Sequence, residues 1–382
     1  MTNGKDASLK IALVHDYIKE FGGAERVLKA LSEIYPDAPI YTAFCDKRSS
    51  AYEQFKNREI ITSWFQYLPF YAKLASPLRF LTPLIWGSFD FSKYDMVISS
   101  ASWYITKGFG RKNSGRNNPL EICYCHTPPR WLYGYQTSVN FKKHWPVRIY
   151  ALIVGHFLRL YDFQRAQKVD YFIANSNEVL QRIKKFYRRD AIVIYPPVND
   201  IFKPQDSKVK LSKDYYFIVS RIVGAKGLEL AVEAAIKRGF ILKIAGSSAG
   251  YYSMQQSLVK NARGKVEFLG QVGDRELVKL YQGAKAFLAL AKEEDFGITP
   301  LEAQACGTPV IAFNGGGYKE SVVSKKTGVL FDDYSVYGLI EAIEKFENLK
   351  INSSDCIEQA KKFSKIRFKK EIKEFVASKS KN

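Results

Sequence analysis

The chain has 382 residues, 46% of them hydrophobic, which is enough for two ordinary cores and too much for a disordered chain. Its 58 Lys and Arg against 38 Asp and Glu give a formal charge of +20, which implies long-range attraction to a membrane surface, nucleic acid or a phosphorylated substrate without choosing among them. Five cysteines, an odd number with no CxxC, argue against a disulfide framework or a zinc site and favour a reducing cytoplasm.

Met1 to Lys10 is short and polar and lacks the order of a signal peptide. Lys10 to Val14 then reads as a strand ending in His15-Asp16-Tyr17, and Phe21-Gly22-Gly23-Ala24-Glu25-Arg26 opens a helix. Strand, glycine loop and helix N-terminus form a phosphate-approach geometry, although paired glycines by themselves usually mark an ordinary turn. Residues 61–92 interleave aromatics such as Trp64, Tyr67, Phe70, Phe80 and Trp86 with Lys73 and Arg79. Prolines at 69, 77 and 83 divide this stretch into short amphipathic pieces, equally suited to core packing and to an interfacial membrane patch.

Tyr94 to Ser100 and Leu120 to Tyr124 read as strands, the second leading into Cys125-His126-Thr127-Pro128-Pro129-Arg130-Trp131. A histidine at the carboxyl end of a strand lies where open α/β sheets bind ligands. Residues 138–168 suggest two or three basic, aromatic helical pieces; Val147 to Tyr161 is too short and too charged to span a membrane. A strand at 171–174, a helix at 178–187 and a strand at 191–195 follow, and Pro196 to Asp214 reads as an interdomain linker.

The second half alternates strand, loop and helix, as a parallel sheet with helices on both faces requires. Arg221 and Lys226 follow the strand Tyr215 to Val219, where both cations can converge on one phosphate group. Ala286 to Ala291 is a buried strand that delivers Glu294-Asp295-Phe296-Gly297-Ile298-Thr299-Pro300-Leu301-Glu302. Pro300 suits the first turn of a helix, Thr299 or a neighbour is the expected cap, and the helix N-terminus then faces an anion. Glu294 and Glu302 would flank that anion with carboxylates, which suit sugar hydroxyls. A nucleotide sugar has that shape.

Glu-x7-Glu with Phe296-Gly297 inside it and Pro300-Leu301-Glu302-Ala303-x-Ala305-Cys306-Gly307-Thr308-Pro309-Val310 after it resembles the motif of retaining glycosyltransferases of family 4. Arg221-x4-Lys226-Gly227 resembles their diphosphate pair, while His15-Asp16-Tyr17, Gly22-Gly23 and Cys125-His126-Thr127-Pro128 resemble the GDP-mannose-dependent mannosyltransferase-like subgroup. The resemblance covers about residues 10–375. It implies an α/β GT-B fold, two Rossmann-like domains with a cleft between them: residues 1–200 for the acceptor, residues 201–363 for the donor, and a helix in 364–382 returning to the first domain.

The same resemblance implies catalytic roles for Glu294, His126, Arg221 and Lys226. Donor contacts are expected from Gly22, Gly23, Arg221, Lys226, Glu294, Phe296, Gly297, Ile298, Thr299 and Glu302, and acceptor contacts from Asp16, Tyr17 and Arg130. The expected activity is transfer of a hexose, mannose from GDP-mannose, with retention, onto a lipid-linked or surface polysaccharide. Retention leaves open whether Glu294 is a nucleophile or attack occurs on the front face. No Asp-x-Asp occurs, so no metal and no other cofactor is expected. The expected place is cytoplasmic, peripheral on the inner face of an anionic membrane. The alternatives are a UDP-sugar-dependent transferase, a sugar-nucleotide epimerase on the same fold and, distantly, a nucleic-acid-binding protein, for which no motif appears.

Overall fold

A computed structural model of the chain describes residues 9–111, 118–137, 145–205, 213–247 and 264–380. Residues 1–8, part of the expected linker (206–212), residues 248–263 where the sequence alternation places a helix, the beginning of 138–168 and the final two residues lie outside them. The described chain forms two compact units, one of residues 1–135, 141–195 and 368–382, the other of 136–140 and 196–367. Each is a Rossmann-like α/β layer structure, the fold class expected from the sequence.

The first unit has seven strands: β1 Ile11–His15, β2 Ile40–Thr42, β3 Ile60–Thr62, β4 Met96–Ala101, β5 Leu120–Cys125, β6 Tyr171–Ala174 and β7 Ala191–Val193. They pair in parallel in the order β3-β2-β1-β4-β5-β6-β7. Helices cover both faces, so the central strands have no polar side. Ile11 and Leu13 enter one core with Met96, Ile98 and Ile122, while Ala12 and Val14 enter another with Val97. The helix Lys365–Ser380 completes the first core with Phe368, Ile372 and Val376, one residue per turn along a single face.

The second unit has β8 Tyr215–Val219, β9 Ile241–Ala245, β10 Val266–Gly270, β11 Ala284–Ala289, β12 Val310–Phe313 and β13 Gly328–Phe331, parallel throughout in the order β10-β9-β8-β11-β12-β13. Both orders reverse direction once, between β1 and β4 and between β8 and β11. Connections leave these adjacent strands toward opposite faces and open a crevice at their carboxyl ends. That topology decides where functional side chains can gather.

Residues 145–168 form one helix, Trp145–Lys168, in place of separate pieces. Its only proline is Pro146, in the first turn, where no intrahelical N–H is lost, and Gly155 alone is a weak helix former that the tertiary contacts override. No helix among the described residues is long and apolar enough to cross a membrane.

Candidate functional site

In the second unit, the loops leaving β8 and β11 meet at the reversal point. The β8 loop passes Arg221 and a short 3-10 turn at Gly224–Lys226, and Gly227, at φ +70°, then opens the helix Leu228–Arg238. A Cβ on Gly227 would lie 2.7 Å from the carbonyl oxygen of Leu290, so only glycine lets this loop lie against the β11 loop. The approach brings Nζ of Lys226 to 2.7 Å from Oε2 of Glu294. The hydroxyl of Tyr318 donates to the same oxygen at 3.3 Å, and the N–H of Gly317 donates to the Glu294 carbonyl at 2.9 Å. Burial, then the Glu294 charge, raises the Tyr318 pKa well above the usual phenol value, so it remains a donor at neutral pH.

The expected cap at Thr299 is corrected. Helix Ile298–Ala305 begins after Gly297, which has φ +80°, and Thr299 lies inside its first turn with Pro300. A side chain at Gly297 would place its Cβ 2.4 Å from Tyr318 Cε1, so the positive φ and the contact both select glycine. Phe296 is buried against Phe363, with centroids 5.8 Å apart, and fixes the base of this loop. The result is a helix N-terminus beside one carboxylate and one ammonium group.

Glu302 lies in the same helix and is buried, with the Tyr281 hydroxyl 3.1 Å from Oε2. Burial, followed by the charge of Glu302, lifts the Cys306 thiol to about 12, leaving it neutral. Arg221 is exposed in the β8 loop, five positions before Lys226. The structure thus joins Lys226 to Glu294 directly, adds Tyr318 and Tyr281 to the group, and leaves Arg221 at the surface.

In the first unit the ends of β1, β4 and β5 align, with His15 opposite Ser100 and Ala101 opposite Cys125. His126 follows directly. Ser100 Oγ lies 3.0 Å from His15 Nδ1 and 2.9 Å from His126 Nε2, and His15 Nε2 is 3.5 Å from Glu25 Oε1. A hydroxyl has one proton, so it can donate to only one of the two rings and must accept from the other. When His15 directs Nε2–H at Glu25, its Nδ1 accepts from Ser100, and Ser100 accepts from His126 Nε2–H. His126 Nδ1 is then the acceptor nitrogen of its ring. Burial, then the neighbouring His15, lowers the His126 pKa to about 3, so its ring is neutral at physiological pH.

Two expected contacts in this unit are engaged elsewhere. The N–H of Gly22 donates to Glu25 Oε2 at 2.9 Å and caps the helix Gly23–Ile34, so it is not a free phosphate donor. Asp16 is buried and accepts from Ser102 Oγ at 3.0 Å, from the Ser102 N–H at 3.2 Å, and from Trp103 N–H and Thr106 Oγ1, which makes it the anchor of loop 102–106. Tyr17 stacks on Phe44 at 5.1 Å, and Arg130 is partly exposed in the loop after β5. Ser100 has no distinguishing signal in the sequence, since a serine ending an apolar strand is commonplace, and Glu25 stands in the Gly22-Gly23-Ala24-Glu25-Arg26 run without any sign of its contact with His15.

Residues 199–363 match the family described as Glycosyl transferases group 1. The chain is 27% identical over 198 residues to an uncharacterized glycosyltransferase, MJ1178, of Methanocaldococcus jannaschii, a match covering 51% of this chain and 55% of that protein. It is 28% identical over 261 residues to the Mus musculus alpha-1,3/1,6-mannosyltransferase ALG2, with 60% of each chain covered. The chain thus spans little more than half the length of these curated relatives. The crystal structure of Anabaena HepE in complex with UDP and glucose matches with a TM-score of 0.71 at 17% identity, covering 97% of this chain and 100% of that one. That likeness shows the fold, the two Rossmann-like units of GT-B glycosyltransferases.

Proposed function

With residues 199–363 matching the glycosyl transferases group 1 family as the premise, we propose that this protein transfers a hexose from a nucleotide diphosphate to a glycan or lipid-linked acceptor. The observation that carries the reading is the contact of Lys226 with Glu294 at the sheet reversal of the second unit, beside the N-terminus of the helix Ile298–Ala305. In the reaction the bond from the sugar's anomeric carbon to the diphosphate oxygen breaks and its electron pair stays on the phosphate. The acceptor oxygen forms the new bond and releases its proton to the departing phosphate. Charge therefore grows on the diphosphate as positive character grows on the ring, and donors fixed beforehand lower the barrier.

Lys226 and Arg221 supply positive charge, and the N–H groups of Ile298 and Thr299 supply dipoles, so no metal is needed. Glu294 orients sugar hydroxyls and Glu302 the ribose, while Phe296 and Gly297 hold the loop shape. In the first unit, His126 contacts the hexose, Gly23 lines the loop beside it while the Gly22 N–H caps the following helix, and Tyr17 and Arg130 contact the acceptor. GDP-mannose is the proposed donor, supported by the subgroup motifs and by the ALG2 match; a UDP-sugar is the second reading, favoured by the UDP complex of HepE. Anomeric retention and work at the inner membrane face complete the proposal.

Calorimetry with GDP, UDP, GDP-mannose and UDP-glucose, in the presence of EDTA, tests it. Binding of one nucleotide and its loss in Lys226→Ala is the expected result. No binding by any of the four overturns it, and conversion of a sugar nucleotide without an acceptor assigns an epimerase.

A further inference from the structure

The helix Trp145–Lys168 buries its single acid. Asp162 is fully buried, where it pairs with Lys107 and accepts from the Tyr133 hydroxyl at 2.7 Å, and Gly155, Leu158 and Ala166 are buried on the same face. The outward face is the reverse of a normal surface helix: Trp145 is 71% exposed, Leu152 72% and Phe157 66%, with Ile149 and Ile153 between them and Leu160 after them also exposed. Such spacing makes one stripe along the helix. The stripe continues onto residues 79–84 through a shallow apolar groove of about 290 Å³ lined by Phe80, Pro83, Val154, Phe157, Leu158 and Tyr161. Leu84 is 62% exposed beside it in sequence, and the Tyr150 hydroxyl donates to the Pro77 carbonyl, tying the two segments together.

We infer that this surface lies in the headgroup layer of an anionic lipid bilayer. The choice of occupant rests on charge. Residues 60–89 contain no acidic side chain, and in residues 145–168 the single one, Asp162, is buried under Lys107. Lys73 and Arg148 are exposed in the same two segments, Tyr67 and Phe70 are exposed at 85% and 75%, and the whole chain carries +20. Apolar and aromatic side chains flanked by cations alone fit an interface whose counter-charges are lipid phosphates. A second copy of the chain would bring cations against cations with no acid to offset them. The inference deepens the proposed location at a membrane face and rests on that part of the reading alone.

Co-sedimentation of the full chain with vesicles of phosphatidylglycerol and phosphatidylcholine (1:1), against vesicles of phosphatidylcholine alone, tests it without donor or acceptor, so failure here leaves the transferase reading intact. Binding to the anionic vesicles, weakening as salt rises, is expected. The double variant Leu152→Glu/Phe157→Glu should bind at least about tenfold more weakly, with an unchanged circular dichroism melt, while Tyr337→Glu on the second unit binds as the wild type does. Absence of binding to the anionic vesicles, or equal binding by the double variant, overturns the inference. A concentration-dependent dimer abolished by the double variant, with no vesicle binding, assigns the face to a second copy and overturns it too.

Discussion

Lys226 and Glu294, separated by 68 positions in the chain, meet at 2.7 Å because two glycine-shaped loops leave neighbouring parallel strands. Both side chains retain access to water, so the pair adds little to stability, within about 1 kcal/mol. Its expected contribution is to the reaction. Lys226→Met should therefore lower kcat/KM for the nucleotide sugar by roughly 10²–10³-fold, while the melting temperature stays within a degree or two. A variant that melts much earlier but retains turnover would make the pair a structural device.

Gly297→Ala tests the loop shape independently of charge. At φ +80°, with the new Cβ forced into Tyr318, the variant should lose about 2–3 kcal/mol and most of its activity. Denaturant titration and an initial-rate assay measure both. Full stability would show that the loop has another conformation available.

The buried His126 gives stability a dependence on pH. Its folded pKa of about 3 lies below the ordinary value of 6.5, so between those values the unfolded chain binds the proton more tightly. The contribution is complete above pH 6.5 and is lost as pH falls toward 3, with a limiting slope of about 1.4 kcal/mol per pH unit. His126→Gln should flatten urea-derived stability over pH 6.5 to 4. A slope equal to that of the wild type would remove His126 from the account.

Glu121 works in the opposite direction. Burial raises its pKa to about 7, against donation from Ser99 and the N–H groups of Gly108, Phe109 and Gly110. The folded state holds this proton more tightly, so the contribution is complete below the ordinary value of 4.5 and is lost as pH rises through 7. The two groups oppose each other from 4.5 to 6.5, and Glu121→Gln should make the wild-type acid sensitivity steeper. Glu121→Ala, which strands three N–H groups in a dry site, should cost about 3 kcal/mol or more.

Phe368→Ala should cost about 3–5 kcal/mol, although it lies in the final helix, because Phe368 is fully buried among residues of β1, β4 and β5. Thermal melts measure it. A loss below 1 kcal/mol would mean that the helix Lys365–Ser380 is dispensable to the first core.

Most of this architecture is written locally. Ile11 to Val14 and Ala286 to Ala289 are apolar without interruption because both faces of their sheets are covered, and such runs are readable as central strands. Ile40–Thr42, Ile60–Thr62 and Gly328–Phe331 are not legible as strands because three or four residues carry no periodicity. The helix Trp145–Lys168 reads as fragments in the sequence because its exposed face is apolar where a surface helix is polar, so no amphipathic period marks it as one element. In the site, Glu294, Lys226 and His126 stand in motifs, whereas the partners that orient them, Tyr318 and Ser100, arrive from other strands through register and turn geometry. Thr299 looked like a cap because threonine commonly is one; the left-handed turn at Gly297 made a side-chain cap unnecessary.

The chain enters and leaves the second unit side by side, with the Val198 N–H donating to the Phe363 carbonyl at 2.9 Å and Val198 bridged to Ser364. The main segment of that unit, residues 196–367, is therefore closed at its own base, and residues 136–140 join it from within the first. During synthesis it can finish folding while the earlier sheet still lacks the helix carrying Phe368, Ile372 and Val376, so the unit begun first on the ribosome is completed last.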